Sequence, residues 1–160
     1  MNKMIKKRVT DDMILLDVEK INGYLCAVES INCAPNVAAD YQCLLLDEKA
    51  TLLESVQDGI ICGEDKYPVE YWHISLQQTD LESLKQAARS WFFRLGHAEK
   101  LADKLDDLVG GFMDLIQPYT YGAAIYRVDM APPVWYAIGW EIFVVHSKRD
   151  ALLFRFSFDG

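Results

Sequence analysis

Apolar residues recur along this chain at two different periods, and the change from one to the other divides it. Near the start, Ile14, Val18, Ile21, Leu25 and Val28 follow steps of 4, 3, 4 and 3, which places them on one stripe of a helix running to about Ser30. Thr10, followed by Asp11 and Asp12, suits the N-terminus of that helix, where a hydroxyl accepts a backbone bond and carboxylates meet the positive end of the dipole. The stretch Asn32-Cys-Ala-Pro-Asn36 breaks the pattern. Tyr41, Leu45, Leu52 and Val56 then predict a second helix from about Val37 to Gln57, stopped near Asp58-Gly59 and folded back on the first as an antiparallel hairpin. Ile60 to Cys62 reads as a short extended piece, and Val69 to Leu76, rich in β-branched and aromatic residues, as a strand.

Thr79-Asp-Leu-Glu82 has the spacing of a capping box and opens a third helix with Leu81, Leu84, Ala88, Trp91 and Leu95 on one face, closed by Gly96. A fourth, from about Ala98 to Ile116, shows Leu101, Leu105, Leu108, Phe112 and Leu115. Gly110-Gly111 interrupts it at about 1 kcal/mol per glycine relative to alanine, which marks a close contact or a bend, and Pro118 is expected to end it. The last forty residues change to period two. Strands are predicted near 122–129, 134–146 and 151–158; in the last, Leu152, Phe154, Phe156 and Phe158 alternate with Leu153, Arg155 and Ser157. The expected architecture is therefore α+β, with two helical pairs packed on one face of an antiparallel sheet that ends in a three-strand meander. Residues 1–160 read as one globular domain, with 1–9 a flexible basic N-terminus.

Charge sharpens this picture. The formal net charge is -8, yet the first eight residues carry Lys3, Lys6, Lys7 and Arg8, while residues 10–65 hold twelve acidic residues against Lys20 and Lys49 alone. An excess of acid argues against gripping nucleic acid through its phosphates or resting on an anionic membrane. The basic start is not followed by an apolar h-region, and no apolar run approaches the roughly 20 residues that span a bilayer, so the expected location is the cytoplasm. Cys26, Cys33, Cys43 and Cys62 lack a C-x-x-C pair and are expected to be reduced and mostly buried.

No catalytic residue, cofactor site or metal site follows from motif: the chain has no phosphate-binding glycine loop, no G-x-S-x-G and no metal-ligand spacing among His73, His97 and His146. His73 is the best isolated candidate for acid/base work, because a strand would set it on one face with Tyr71 and Ser75. His146 precedes the turn Ser147–Asp150 that joins two strands. The aromatics Trp135, Tyr136, Trp140, Phe143, Phe154, Phe156 and Phe158 read as sheet core rather than as a stacking platform for bases. What stands above background is the acidity of the first helical pair and the turn after it. Asp40, Asp47, Glu48, Glu54, Asp58, Glu64 and Asp65, with Tyr67 as an aromatic anchor, form a candidate docking surface for a basic protein.

In size, acidity and lack of catalytic motifs the whole chain resembles the bacterial immunity proteins that neutralise polymorphic or contact-dependent growth inhibition toxins. That resemblance implies a toxin domain as partner, commonly a basic nuclease, whose active site is occluded across an interface on the order of 1,600 Å². Two alternatives use other chemistry: a regulatory or nucleic-acid-mimic protein presenting the same acidic surface, and a small enzyme using His73.

Overall fold

The computed structural model describes residues 3–62, 67–95 and 99–159, with residues 3–10, 99, 102 and 104 described by their backbone only. Helix α1 (Lys3–Ile31) is followed by strand β1 (Ala38–Leu45), helix α2 (Leu52–Ile61), a 3₁₀ turn (Val69–Trp72), strand β2 (Ser75–Thr79) and helix α3 (Leu81–Phe92). A second 3₁₀ stretch (Glu99–Lys104), helix α4 (Asp106–Thr120) and strands β3 (Ala124–Asp129), β4 (Gly139–His146) and β5 (Ala151–Asp159) complete the chain. The five strands form one antiparallel sheet in the order β1-β5-β4-β3-β2. The α+β class and the C-terminal meander are as the sequence predicts.

Alternation along β5 decides how the layers stack. Leu152, Phe154 and Phe156 join the larger core with α1, α3 and α4, whereas Leu153 joins the smaller one with Val56 of α2 and Trp72. Because neighbouring side chains on a strand point to opposite faces, α2 lies across the sheet from the other three helices. The expectation that helices cover one face is thereby corrected. The thick face is an aromatic cluster in which Phe112 meets Phe92, Phe154 and Phe156 edge to face, and all four are fully buried. The stripe Ile14, Val18, Ile21, Leu25 and Val28 is buried as expected, the last four within the same core.

The main departure lies at residues 38–45, expected as helix and found as strand. Tyr41 and Cys43 are buried two residues apart and pair with Phe156 and Phe154 of β5, a period-two pattern that the longer spacing to Leu52 and Val56 obscured. There is accordingly no helical hairpin between residues 10 and 57. Helix α1 instead lies along the outer edge of β1. The Asn22 side chain accepts a hydrogen bond from the Cys43 amide at 2.7 Å and donates to its carbonyl at 2.9 Å, while a Glu29 carboxylate oxygen accepts from the Tyr41 amide at 2.6 Å. These bonds satisfy backbone groups that an edge strand would otherwise offer to another chain.

Smaller corrections have local causes. Helix α1 begins at Lys3 rather than at Thr10, consistent with the helix-forming residues Lys, Met and Arg in that stretch. Ile60 and Ile61 end α2 instead of forming an extended piece, and Gly59, read as a stop, is inside the helix, where a Cβ would run into the Leu46 side chain. Asp80, not Thr79, caps α3, its carboxylate accepting from the Ser83 amide at 2.8 Å. Residues 99–104 form a 3₁₀ stretch, and Pro118 lies within the last turn of α4. Gly111 is a close contact: Tyr24 of α1 donates to the Leu108 carbonyl at 2.5 Å, and its hydroxyl occupies the space a Cβ at 111 would take. Gly96 and His97 lie outside the described residues. Cys43 is buried, but Cys26, Cys33 and Cys62 are exposed free thiols, so the four are not mostly buried. Burial pushes the Cys43 thiol up to about 12.

Candidate docking surface

The thin face of the sheet carries the site. Leaving β1, the chain turns through residues 46–50 into α2, which Thr51 caps by accepting the Glu54 amide at 3.2 Å. The buried Ser55 fixes the entry, its hydroxyl accepting from the Lys49 amide at 3.0 Å and donating to the Thr51 carbonyl at 3.3 Å. With Val56 and Ser55 turned inward, the opposite side of the helix presents Glu54, Gln57, Asp58 and Ile61.

Facing them is the segment 67–74. The fully buried Trp72 pins it, its carbonyl accepting from the Ala131 amide at 2.9 Å and its ring meeting Tyr136 edge to face. Its indole nitrogen has no hydrogen-bond partner among the described residues. With Trp72 inward, Tyr67, Val69 and Tyr71 are left at the surface with relative exposures of 42%, 41% and 56%, and the two tyrosine rings lie 6.4 Å apart. Between α2 and this segment runs a groove of about 480 Å³ lined by Lys49, Glu54, Gln57, Asp58, Ile61, Cys62 and Val69. Acidic groups stand on one wall and apolar surface on the other. Lys49 reaches Asp58 at 3.6 Å with both side chains about half exposed, an ion pair that water screens and that contributes at most about 1 kcal/mol.

The sequence-derived residues divide accordingly. Glu54 and Asp58 line the groove and Tyr67 sits two residues from Val69 on its other wall. Asp47 and Glu48 are exposed on the turn before α2; Glu48 borders a smaller cavity of about 210 Å³ that Lys49, His146, Lys148, Arg149 and Asp150 share. Asp40 does not belong to the group. It lies on β1 and pairs with Arg155 at 2.8 Å, because a strand, not a helix, carries it. Glu64 and Asp65 lie outside the described residues. Val69, Tyr71, Gln57, Ile61 and Lys49 were missed; once α2 is read as Leu52–Ile61 their signal is the outward side of that helix and the aromatic alternation about Trp72.

Among the described residues, His73 and His146 do not assemble a reaction centre of the kind the sequence suggested. His73 is no strand residue: it ends the 3₁₀ turn in a left-handed conformation with φ 50°, exposed, its amide bonded to the Glu70 carbonyl at 3.4 Å. It therefore shares no strand face with Tyr71 and Ser75. His146 is exposed at the end of β4. Of the aromatics expected in the sheet core, Trp135 is instead 73% exposed, on the connection before β4.

No protein-family model matches the chain, and no curated protein matches it. Among solved structures it is similar to citrus MAF1. One crystal structure, in space group C 2 2 21, superposes with a TM-score of 0.52 at 12% identity, and another, in P 31 2 1, with 0.55 at 13%. Each match covers 89% of this chain and 98% of that one. At such identity the likeness is one of fold, extending over nearly the whole of both chains.

Proposed function

We propose that this protein is a binding protein that receives a basic protein partner in the groove between α2 and residues 67–72, and that it serves as an immunity protein against a toxin domain. The observation that carries the reading is the juxtaposition of Glu54 and Asp58 with Val69, beside Tyr67 and Tyr71, on one exposed surface. The carboxylates accelerate encounter with a positively charged surface, and the tyrosines provide rigid contact area of the type that anchors interfaces. A partner lysine or arginine entering the groove replaces Lys49 at Asp58, exchanging one weak solvated pair for a shielded one. If the partner is a nuclease, the basic residues that hold its substrate phosphates are the ones occupied, and inhibition follows by occlusion.

The test is co-expression with a candidate toxin domain, sought among the products of neighbouring genes. The chain should restore growth and co-purify with the domain, and the Glu54→Lys/Asp58→Lys variant, folded as judged by circular dichroism, should do neither. Growth arrest with the unaltered chain would refute the immunity reading. Co-purification with a DNA-binding protein of the host instead would favour the regulatory or nucleic-acid-mimic alternative, which draws on the same acidic wall.

A further inference from the structure

The two edges of the sheet are finished differently. At β1 the side chains of Asn22 and Glu29 bond to the backbone of Cys43 and Tyr41 and cap the edge. The opposite edge is β2. It pairs with β3 on one side, and among the described residues no other element bonds to its main chain on the other. An edge strand presents a row of N–H and C=O groups at fixed spacing, and what satisfies such a row is another extended backbone. Charge, proline or a bulge ordinarily guards against that pairing. β2 has none of them: Ser75-Leu-Gln-Gln-Thr79 runs in unbroken register with Asp129 to Ile125 of β3, and Ser75, Gln77 and Gln78 are exposed.

The side chains of β2 say which strand fits. In a chain of net charge -8 this strand carries no charge, so a second copy laid along it opposes no like charges. Run antiparallel about a two-fold axis at Gln77, it is complementary to itself. Ser75 then faces Thr79 of the second copy, Leu76 faces Gln78, and Gln77 faces its own counterpart. The Thr79 hydroxyl donates to Ser83 Oγ at 2.8 Å, which leaves its acceptor side for the Ser75 hydroxyl across the pair. Hydroxyl pairs and glutamine ladders of this kind support cross-strand contacts. We propose that two copies of this chain associate through β2, antiparallel about Gln77, joining their sheets into one. The contact is isologous, and because the β1 edge is capped, addition stops at two copies instead of running on into a fibre. Five residues of strand span about 17 Å, well short of a permanent interface, so the dimer is weak and reversible. No residue of β2 lines the groove between α2 and residues 67–72, and the contact stands apart from the proposed partner site.

The full chain, measured by sedimentation equilibrium from micromolar to near-millimolar concentration, is expected to show a reversible monomer–dimer equilibrium. Over the same range, hydrogen exchange of the β2 amides that point away from β3 should slow as concentration rises, while exchange in β1 stays constant. A charge exchange tests the register. Gln77→Lys and Gln77→Glu alter an exposed side chain, and each sets like charges against each other at the two-fold axis. Both should self-associate about fivefold more weakly than the original, and an equimolar mixture of the two should regain the dimer as a mixed species. Circular dichroism checks that each variant is folded. A chain that sediments as a monomer throughout overturns the proposal. So does a dimer whose β2 amides exchange at the monomer's rate, or a mixture of the charge variants that associates no better than either alone.

Discussion

The two faces of the sheet are built by different rules. On the thick face α1, α3 and α4 cover a continuous aromatic core, and buried polar groups there are paired: Asn32, fully buried, donates to the Tyr41 hydroxyl and to the Trp91 carbonyl at 2.6 Å, and accepts from the Leu95 amide at 2.7 Å. On the thin face one short helix and irregular segments cover a smaller core. There Trp72 keeps an indole N–H without a partner among the described residues, and tyrosines and carboxylates are left at the surface. On the proposed reading, the difference separates stability from recognition. A layer that must bury its apolar stripe has no side chains to spare, whereas a cover of short segments turns a few residues inward as pins and leaves the rest at the surface.

That contrast can be broken most forcefully on the thick face. Phe112→Ala should cost about 3–5 kcal/mol, because it removes a ring that three others pack against and leaves a cavity that the sheet cannot close. Chemical denaturation measures it. Asn32→Ala should follow with about 2–3 kcal/mol, since the Leu95 amide and the Tyr41 hydroxyl both lose a buried partner. By the same method Trp72→Phe, on the thin face, should cost less than about 1.5 kcal/mol: the indole nitrogen it deletes is one that the fold leaves without a bond. A Trp72→Phe variant as unstable as Phe112→Ala would show that the two faces are equally demanding.

A smaller effect sharpens the edge between the faces. Burial raises the pKa of Asp150, with Arg149 lowering it and Asp11 adding a further upward push, so the folded state holds the Asp150 proton more tightly than the unfolded chain does. Protonation therefore favours folding, and this group's destabilising contribution appears as pH rises through its unfolded pKa and saturates above the folded one. Asp150→Asn is expected to raise stability slightly at neutral pH and to leave it unchanged at acid pH, as melting temperatures at the two pH values will reveal.

How far the sequence carried this picture depends on what decided each element. The inward stripe of α1 and the alternation of Leu152, Phe154, Phe156 and Phe158 are local patterns strong enough to be read correctly. Strand β1 was not, because what makes Ala38–Leu45 a strand is pairing with β5 more than a hundred residues away and side-chain caps from Asn22 and Glu29. The Tyr41, Leu45, Leu52, Val56 spacing that suggested a helix crosses a turn. The site inherited that error in part: Asp40 left it for Arg155, while Glu54 and Asp58 stayed because α2 does include them. Val69 and Tyr71 were read as strand residues and not as part of the docking surface because a 3₁₀ turn has no periodicity long enough to register.

The central claim, the proposal that the thin face binds a basic partner through its acidic groove, is tested most directly by stopped-flow association of the chain with the proposed partner, a basic toxin domain, as a function of salt. The unaltered chain should associate rapidly at low ionic strength and slow steeply as salt is added, while Glu54→Lys/Asp58→Lys should associate at least about tenfold more slowly with a shallower salt dependence. Equal rates and equal salt dependence for the two proteins would contradict the account and remove the interface from this face.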